Sequence, residues 1–268
     1  MKIKDLLRMA VVAGLTAMSV AAGASPSFLQ FTTTPSGLGV SGFSAFVSND
    51  INGAYEELVQ LNADSTFNIS LLFQAGQFNE VDTVLPTAIL PSGVGTAYQL
   101  YALFNGVGNY SLSGSGTSAS FTLTSGALDT YFHLGLGQTF TAPTTPLTVA
   151  STYSAVTSGD LLLATGSAVS GTGNQAYFGN NLFGAFGQTT TFGLTADGSK
   201  FFTAPVPFYA LSLQTGQFNG TPFSSGQVVK LTGSADVTFL RVPEPGSLAL
   251  VGVALLGLGL SRRKYLKG

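Results

Sequence analysis

Apolar and small polar residues alternate along most of the chain between residues 25 and 242. The alternation is clear at Ser120–Thr124 and at Ala235–Leu240. A period of two, rich in Phe, Val and Thr, is typical of strands that bury one face. No apolar stripe of helical period extends beyond two turns. The pattern suits a sandwich or a barrel, and we expect an all-β body folded as a single β-sandwich or jelly-roll-like domain.

Turn signals occur where Asn or Asp precedes Gly. The four pairs are Asn52-Gly53, Asn105-Gly106, Asp197-Gly198 and Asn219-Gly220. Asn-Gly suits a two-residue hairpin because both residues tolerate a positive φ. We therefore expect each pair to mark a turn, with a type I′ hairpin at Asn52-Gly53.

Residues 1–24 have the three parts of a secretory signal peptide. A basic start precedes an apolar run, and Ala22 and Ala24 provide the small residues of a cleavage site. We expect signal peptidase to cleave after Ala24. Residues 25–242 would then form the mature secreted domain.

Residues 243–268 form a second targeting segment, at the C-terminal end of the sequence. Pro243, Glu244 and Pro245 precede an apolar run, Leu248–Leu260, and a basic cluster follows at Arg262, Arg263 and Lys264. As a helix the run is about 20 Å long, which is short for a membrane about 30 Å thick. The basic cluster holds its end in the cytoplasm, so the rest of the chain lies across the membrane.

These C-terminal residues resemble a PEP-CTERM sorting signal. The resemblance implies recognition by exosortase, a membrane protease-transpeptidase of Gram-negative bacteria that make exopolysaccharide. Anchoring would be transient, since the tail is removed near the Pro-Glu-Pro motif. The mature protein would reach the cell surface or the extracellular matrix.

The charge of the mature domain limits the partners that it can bind. Residues 25–242 hold ten acidic side chains and three basic ones, Lys200, Lys230 and Arg241, for a net charge of −7. This balance argues against nucleic acid as a partner. The chain has no Cys, which excludes disulfides and thiol chemistry. Adhesion to an acidic polysaccharide should need a divalent cation, while adhesion to a neutral one should not.

Catalytic residues are sparse. His133 is the single histidine, Asp129 lies four residues before it, and no G-x-S-x-G motif accompanies them. Glu56 and Glu57 are adjacent and point to opposite faces of a strand, so they cannot form a glycosidase pair. We expect no enzyme activity and no cofactor.

A metal site is not predicted, although Asp50 and Asn52 are candidate calcium ligands. Asn49 lies beside them, so three oxygen-bearing side chains fall close together. Calcium takes six to eight oxygen ligands, and this segment lacks the further acidic positions of an EF-hand loop.

One six-residue pattern occurs twice. Gln-x-Gly-Gln-Phe-Asn stands at residues 74–79 and again at residues 214–219. Glycine there suits a strand end or a bulge. Amides bond sugar hydroxyls and Phe stacks on sugar faces, so the candidate glycan contacts are Gln77, Phe78, Gln217 and Phe218. The alternative is two equivalent turns in a pseudo-symmetric sandwich.

The body resembles the flocculation-associated PEP-CTERM proteins. The segments that carry this resemblance are residues 49–55, 74–79, 100–104, 160–164, 207–209 and 233–239. It implies a secreted protein that holds bacterial flocs together with exopolysaccharide. The family supplies no catalytic residues.

The expected function is therefore that of an exosortase-sorted surface or matrix protein that promotes flocculation or biofilm cohesion. Its expected partners are signal peptidase and exosortase during export, then exopolysaccharide, other matrix components or further copies of itself. A lectin-like module with a defined sugar site is the alternative, followed by a secreted hydrolase.

Overall fold

Strands account for most of the described chain. The computed structural model describes residues 28–81, 86–113, 118–178, 181–215, 218–220 and 226–241. The predicted signal peptide and sorting segment, with the apolar helix expected in each, lie outside these ranges. Within the ranges, no helix is both long enough and apolar enough to cross a membrane. The all-β character of the body is confirmed.

The elements follow one another in a simple order. The strands are β1 (Phe31–Thr33), β2 (Phe46–Ser48), β3 (Asp50–Leu61), β4 (Thr66–Val81), β5 (Pro86–Ala88), β6 (Tyr98–Leu112), β7 (Ser118–Leu134), β8 (Phe140–Thr141), β9 (Ser154–Ala155), β10 (Leu161–Phe178), β11 (Asn181–Thr190), β12 (Gly193–Leu194), β13 (Phe202–Ala204), β14 (Ala210–Thr215), β15 (Phe218–Gly220) and β16 (Val228–Leu240). The helical segments are a 3-10 turn (Pro35–Leu38) and α1 (Gly198–Phe201).

Eight long strands form one closed sheet. Their order is β3, β4, β6, β7, β10, β11, β14 and β16, every neighbouring pair is antiparallel, and β16 pairs with β3 to complete the ring. The expectation of a sandwich or jelly roll is therefore wrong, because the body is a single barrel-like sheet. Alternation along each strand is the same in both architectures. The long-range pairing of β16 with β3, which closes the sheet, distinguishes them.

Aromatic side chains fill the interior of the closed sheet. Phe31 from β1 meets Phe239 from β16 with ring centroids 4.8 Å apart, and Tyr98 stacks on Phe132 at 5.0 Å. Edge and offset contacts of this kind stabilise a core beyond the area that they bury. Phe78 lies in the same core and is fully buried.

Two of the predicted turns are instead strand interiors. Asn52-Gly53 lies within β3 and Asn105-Gly106 within β6. A Cβ at Gly53 would stand 2.2 Å from the carbonyl oxygen of Gln74 and 2.8 Å from the ring of Phe73. Gly53 is therefore required by the close approach of β4 and not by a turn.

The other two pairs differ from each other: Asp197 lies in a turn, as predicted, although not in a hairpin, and Asn219-Gly220 lies in a strand. Asp197 precedes α1 as its N-cap residue, and Gly198 begins that helix. Asn219-Gly220 lies in β15, where both residues pair with β11. The three Asn-Gly pairs thus occur in strands, because pairing with neighbouring strands outweighs their local turn preference.

A bulge in β4 decides which side chains face outward. Asn52 pairs with Gln77 and Gly53 pairs with Ala75, which leaves Gly76 as the extra residue. An extra residue reverses the alternation beyond it. Phe78 therefore points into the core, while Gln77 points to the outer face. The prediction of a bulge at this glycine is confirmed, and the alternative of a turn there is wrong because β4 continues through it.

Candidate functional site

A polar pocket lies on the outer face of the closed sheet, where β4, β3, β16 and β14 run side by side. We call it the outer pocket, and its volume is about 570 Å³. Its lining residues are Phe28, Asp50, Asn52, Gln77, Asn79, Val81, Gln214, Asp236 and Thr238. Ligand pockets usually measure roughly 300–1,000 Å³.

The first row of the outer pocket crosses four strands in register. Gln77 pairs with Asn52, Asn52 pairs with Asp236, and Asp236 pairs with Gln214. The Asn52 Nδ2 group donates a hydrogen bond of 2.6 Å to Asp236 Oδ1. The pleat and the bulge at Gly76 thus bring one carboxylate and three amides to one line on the surface.

The second row forms the floor of the outer pocket. Asp50 and Asn79 pair across β3 and β4 and are only 4% and 3% exposed. Asn79 Nδ2 donates to Asp50 Oδ2 at 2.7 Å, and Gln77 Nε2 donates to Asn79 Oδ1. A continuous hydrogen-bonded chain therefore joins the floor to the first row.

The carboxyl group of Asp50 is electrostatically unusual. Burial raises its pKa to about 6; the hydrogen bond from Asn79 opposes the rise, and the charge of Asp236 adds to it. Among the described residues, the ion pairs involve other acids: Lys230 with Glu56, Lys200 with Asp197, and His133 with Asp160. No basic side chain of the described residues forms an ion pair with Asp50 or Asp236.

The two sets of sequence-predicted residues meet in this pocket. Gln77 was a candidate glycan contact, while Asp50 and Asn52 were candidate calcium ligands, and all three line it. Asn49 does not join them, because its amide exchanges two hydrogen bonds with the backbone of Val81. The described residues hold no group of three or more acidic or histidine side chains placed for a metal ion.

The remaining glycan candidates lie elsewhere. The prediction of a surface role for Phe78 is wrong, because the bulge turns its ring inward to within 5.0 Å of the Phe46 ring. Gln217 lies outside the described residues. Phe218 is described only as a backbone position in β15, paired with Gly184.

Six of the nine lining residues were not among the predicted site residues, and three of these six belong to the hydrogen-bonded rows: Asn79, Gln214 and Asp236. Two of them stand inside the repeated pattern, Asn79 at the end of its first copy and Gln214 at the start of its second. The repeated pattern therefore contained the sequence signal for these two pocket residues. The copies face the pocket from opposite sides, one through β4 and the other through β14, and thus use different positions of the pattern.

His133 belongs to a separate cluster. Its Nδ1 atom lies 2.7 Å from Asp160 Oδ1, and the Tyr101 hydroxyl donates to Asp160 Oδ2 at 2.6 Å. Gln138 also donates to Asp160, which ties the segment after β7 to the sheet. Among the described residues, the hydrogen bonds of this pair lead to Tyr101 and Gln138 and not to a serine, which is not the pattern of a catalytic triad.

Glu56 and Glu57 lie on opposite faces of β3, as expected. Glu56 is on the outer face, 2.6 Å from the Lys230 ammonium and 2.9 Å from the Tyr153 hydroxyl. Glu57 faces the interior, is 3% exposed, and has an Oε2 atom without a hydrogen-bond partner among the described residues. Burial raises the pKa of Glu57 to about 8.

Comparison with known proteins identifies the C-terminal segment. The family model described as "PEP-CTERM protein-sorting motif" matches residues 241–264. The match includes both the Pro243-Glu244-Pro245 sequence and the basic residues Arg262, Arg263 and Lys264. No curated protein and no solved structure matches the chain, so the flocculation-associated subtype stays a prediction. The chain carries a PEP-CTERM sorting motif, which implies exosortase-dependent export to the cell surface or beyond it.

Proposed function

We propose that this protein is a surface or matrix protein that holds exopolysaccharide in the outer pocket and thereby promotes flocculation or biofilm cohesion. The observation that carries the proposal is the aligned row of Gln77, Asn52, Asp236 and Gln214 on a chain with a PEP-CTERM sorting motif. Rows of amides and carboxylates suit the paired hydroxyls of a sugar ring.

Phe28 also supports the proposal that the outer pocket binds a polysaccharide. It lines the outer pocket and is 42% exposed. An aromatic ring beside convergent polar groups supplies an apolar surface for the face of a sugar ring while the polar groups fix its orientation. The proposed role combines binding with display at the cell surface and requires no bond cleavage.

Cohesion needs more than one contact. A single pocket binds one stretch of glycan, so many copies must engage one polysaccharide chain before cells adhere to it. Sorting to the surface provides that multiplicity. Self-association of the protein would increase it further.

The experiment is a binding assay with the exopolysaccharide of the producing cells. The secreted protein is compared with Asp236→Asn and Asn52→Ala, and Asp64→Asn serves as the matched control. Asp64 lies in the turn between β3 and β4, where its carboxylate accepts hydrogen bonds from the backbone N–H and the hydroxyl of Thr66. We expect the two pocket variants to lose binding and flocculation and the control to keep both. Normal flocculation by a strain that lacks the protein would contradict the proposal.

A secreted glycoside hydrolase is a second candidate. Asp50 and Asp236 line one pocket, and burial raises the pKa of Asp50 to about 6, a value suited to a general acid. Hydrolase carboxyl groups flank the scissile bond, however, whereas these two project from one sheet face on neighbouring strands. Mass spectrometry of incubated oligosaccharides separates the two functions. Unchanged chain lengths indicate binding, and shortened chains that disappear with Asp50→Asn indicate hydrolysis.

A further inference from the structure

We propose that the outer pocket selects amino sugars whose nitrogen is free and positively charged. This inference rests on the proposed function and names the class of glycan that the pocket takes. The proposal follows from two features of the outer pocket. Its carboxylates have no cationic partner among the described residues, and its hydrogen-bond network leaves acceptor oxygens free to bind a ligand.

The pocket holds a buried carboxylate without a compensating positive charge. Asp50 is 4% exposed, and its carboxyl group accepts hydrogen bonds from the neutral amide of Asn79 and from the backbone N–H of Ile51. A buried carboxylate is stabilised mainly by a cation or by several donors. Lys200 and Lys230 are paired with other acids, and Arg241 lines a different, largely apolar groove. A ligand with a positive group would supply the missing charge.

The amide orientations add to this preference. A carboxylate only accepts hydrogen bonds, so Asn52 and Asn79 must point their Nδ2 groups at Asp236 and Asp50. Gln77 donates to Asn79, and Gln214 Nε2 donates to Ser212 at 3.3 Å. Each amide thus directs one of its two N–H donors into the protein.

Acceptor oxygens remain for the ligand. Within the described residues, the side-chain hydrogen bonds of these groups leave Asp236 Oδ2 and the amide oxygens of Asn52, Gln77 and Gln214 without a donor. An ammonium group offers three donors, and sugar hydroxyls offer one each. A free amino sugar therefore matches the row better than a neutral sugar does, and better than an N-acetylated sugar, whose nitrogen carries no charge. A uronic acid would be repelled by both carboxylates.

Calcium is the competing cation. It takes six to eight oxygen ligands and usually several carboxylates. The outer pocket supplies two carboxylates, and the described residues contain no metal-binding group of three acidic or histidine side chains. An ammonium needs fewer acceptors, so the geometry favours it.

The test is a titration of the secreted protein with defined oligosaccharides. The probes are oligomers of glucosamine, N-acetylglucosamine, glucose and galacturonate, together with calcium chloride alone. We expect the glucosamine oligomer to bind at least about tenfold more tightly than the other sugars, as a charge-assisted hydrogen bond implies. Asp236→Asn should remove that preference. Asp64→Asn removes the same charge from a distant turn, so it should leave the preference unchanged and thereby separate pocket binding from general attraction to an acidic protein.

Three results would overturn the inference. If glucose oligomers bind as tightly as glucosamine oligomers and Asn52→Ala abolishes both, the selection of amino sugars is refuted while glycan binding by the pocket stands. If calcium binds alone and recruits the galacturonate oligomer, the charge is supplied by a metal. If no oligomer and no exopolysaccharide binds, both this inference and the proposed function fail.

Discussion

Glu57 makes the stability of the protein depend on pH. Its carboxyl group lies inside the closed sheet, beside a cavity of about 20 Å³ lined by apolar side chains such as Val59, Phe67 and Leu231. Burial raises its pKa from 4.5 to about 8. The folded protein therefore keeps this proton at neutral pH, whereas the unfolded chain releases it above pH 4.5.

The sign and size of the effect follow from this difference. An acid whose pKa is raised on folding destabilises the fold as the pH rises from its unfolded pKa toward its folded one. Between pH 5 and pH 8 the loss amounts to roughly 3 to 4 kcal/mol, at about 1.4 kcal/mol for each pKa unit. Asp50, whose pKa is raised to about 6, adds a smaller loss of the same sign, on the order of 1 kcal/mol.

Glu57→Gln isolates the contribution of Glu57. The substitution keeps the shape of the side chain and removes its ionisation. Urea unfolding at pH 5, 6, 7 and 8 should show a steep decline in the free energy of unfolding for the natural protein. The variant should lose most of that decline and keep the part due to other acids whose pKa is raised by burial, such as Asp50 and Asp129.

The matched control is Glu56→Gln, one residue away on the outer face. Glu56 pairs with Lys230 at the surface, and such a pair contributes about 0–1 kcal/mol. This variant should keep the full decline with pH. Equal pH dependence in the natural protein and in Glu57→Gln would refute the assignment.

Three further predictions test the fold and the processing. Gly53→Ala should destabilise the protein by about 1–3 kcal/mol in urea unfolding, because the added methyl group meets the Gln74 carbonyl and the Phe73 ring; unchanged stability would contradict the close packing. Phe78→Leu should lower stability by about 1 kcal/mol and leave glycan affinity unchanged, because Phe78 packs in the core. A loss of glycan affinity without a loss of stability would indicate that Phe78 contacts the glycan at the surface. The intact mass of the secreted form should correspond to a chain from Ser25 to about Val242, and a mass that retains Lys264 would refute removal of the tail.

Local patterns predicted the strands well because alternation is a local property. The alternating segments Ser120–Thr124 and Ala235–Leu240 both lie in strands. The choice between a sandwich and a closed sheet depends on which distant strands pair. No local sequence signal indicates that β16 pairs with β3, so the alternation of apolar and polar residues could not predict the closed architecture.

The positions of the candidate site residues also depend on features that the local sequence does not indicate. Gln77 and Phe78 are neighbours and must face opposite sides, yet sequence alone does not say which one faces out. The extra residue Gly76 makes that decision by shifting the alternation by one position. In the same way, Asp160 reaches His133 only because β10 pairs with β7, and Asp129, the acid nearer in sequence, is not its partner.

The most direct test of glycan binding by the outer pocket is an NMR titration of the secreted protein with oligosaccharides from the native exopolysaccharide. The side-chain amide signals of Asn52, Asn79, Gln77 and Gln214 report on the pocket, and that of Gln138 reports on the separate His133 cluster. We expect the four pocket amides to shift together along one saturable curve while Gln138 stays in place. Shifts confined to other residues, or no shift at saturating oligosaccharide, would contradict the proposal that this pocket binds the polysaccharide.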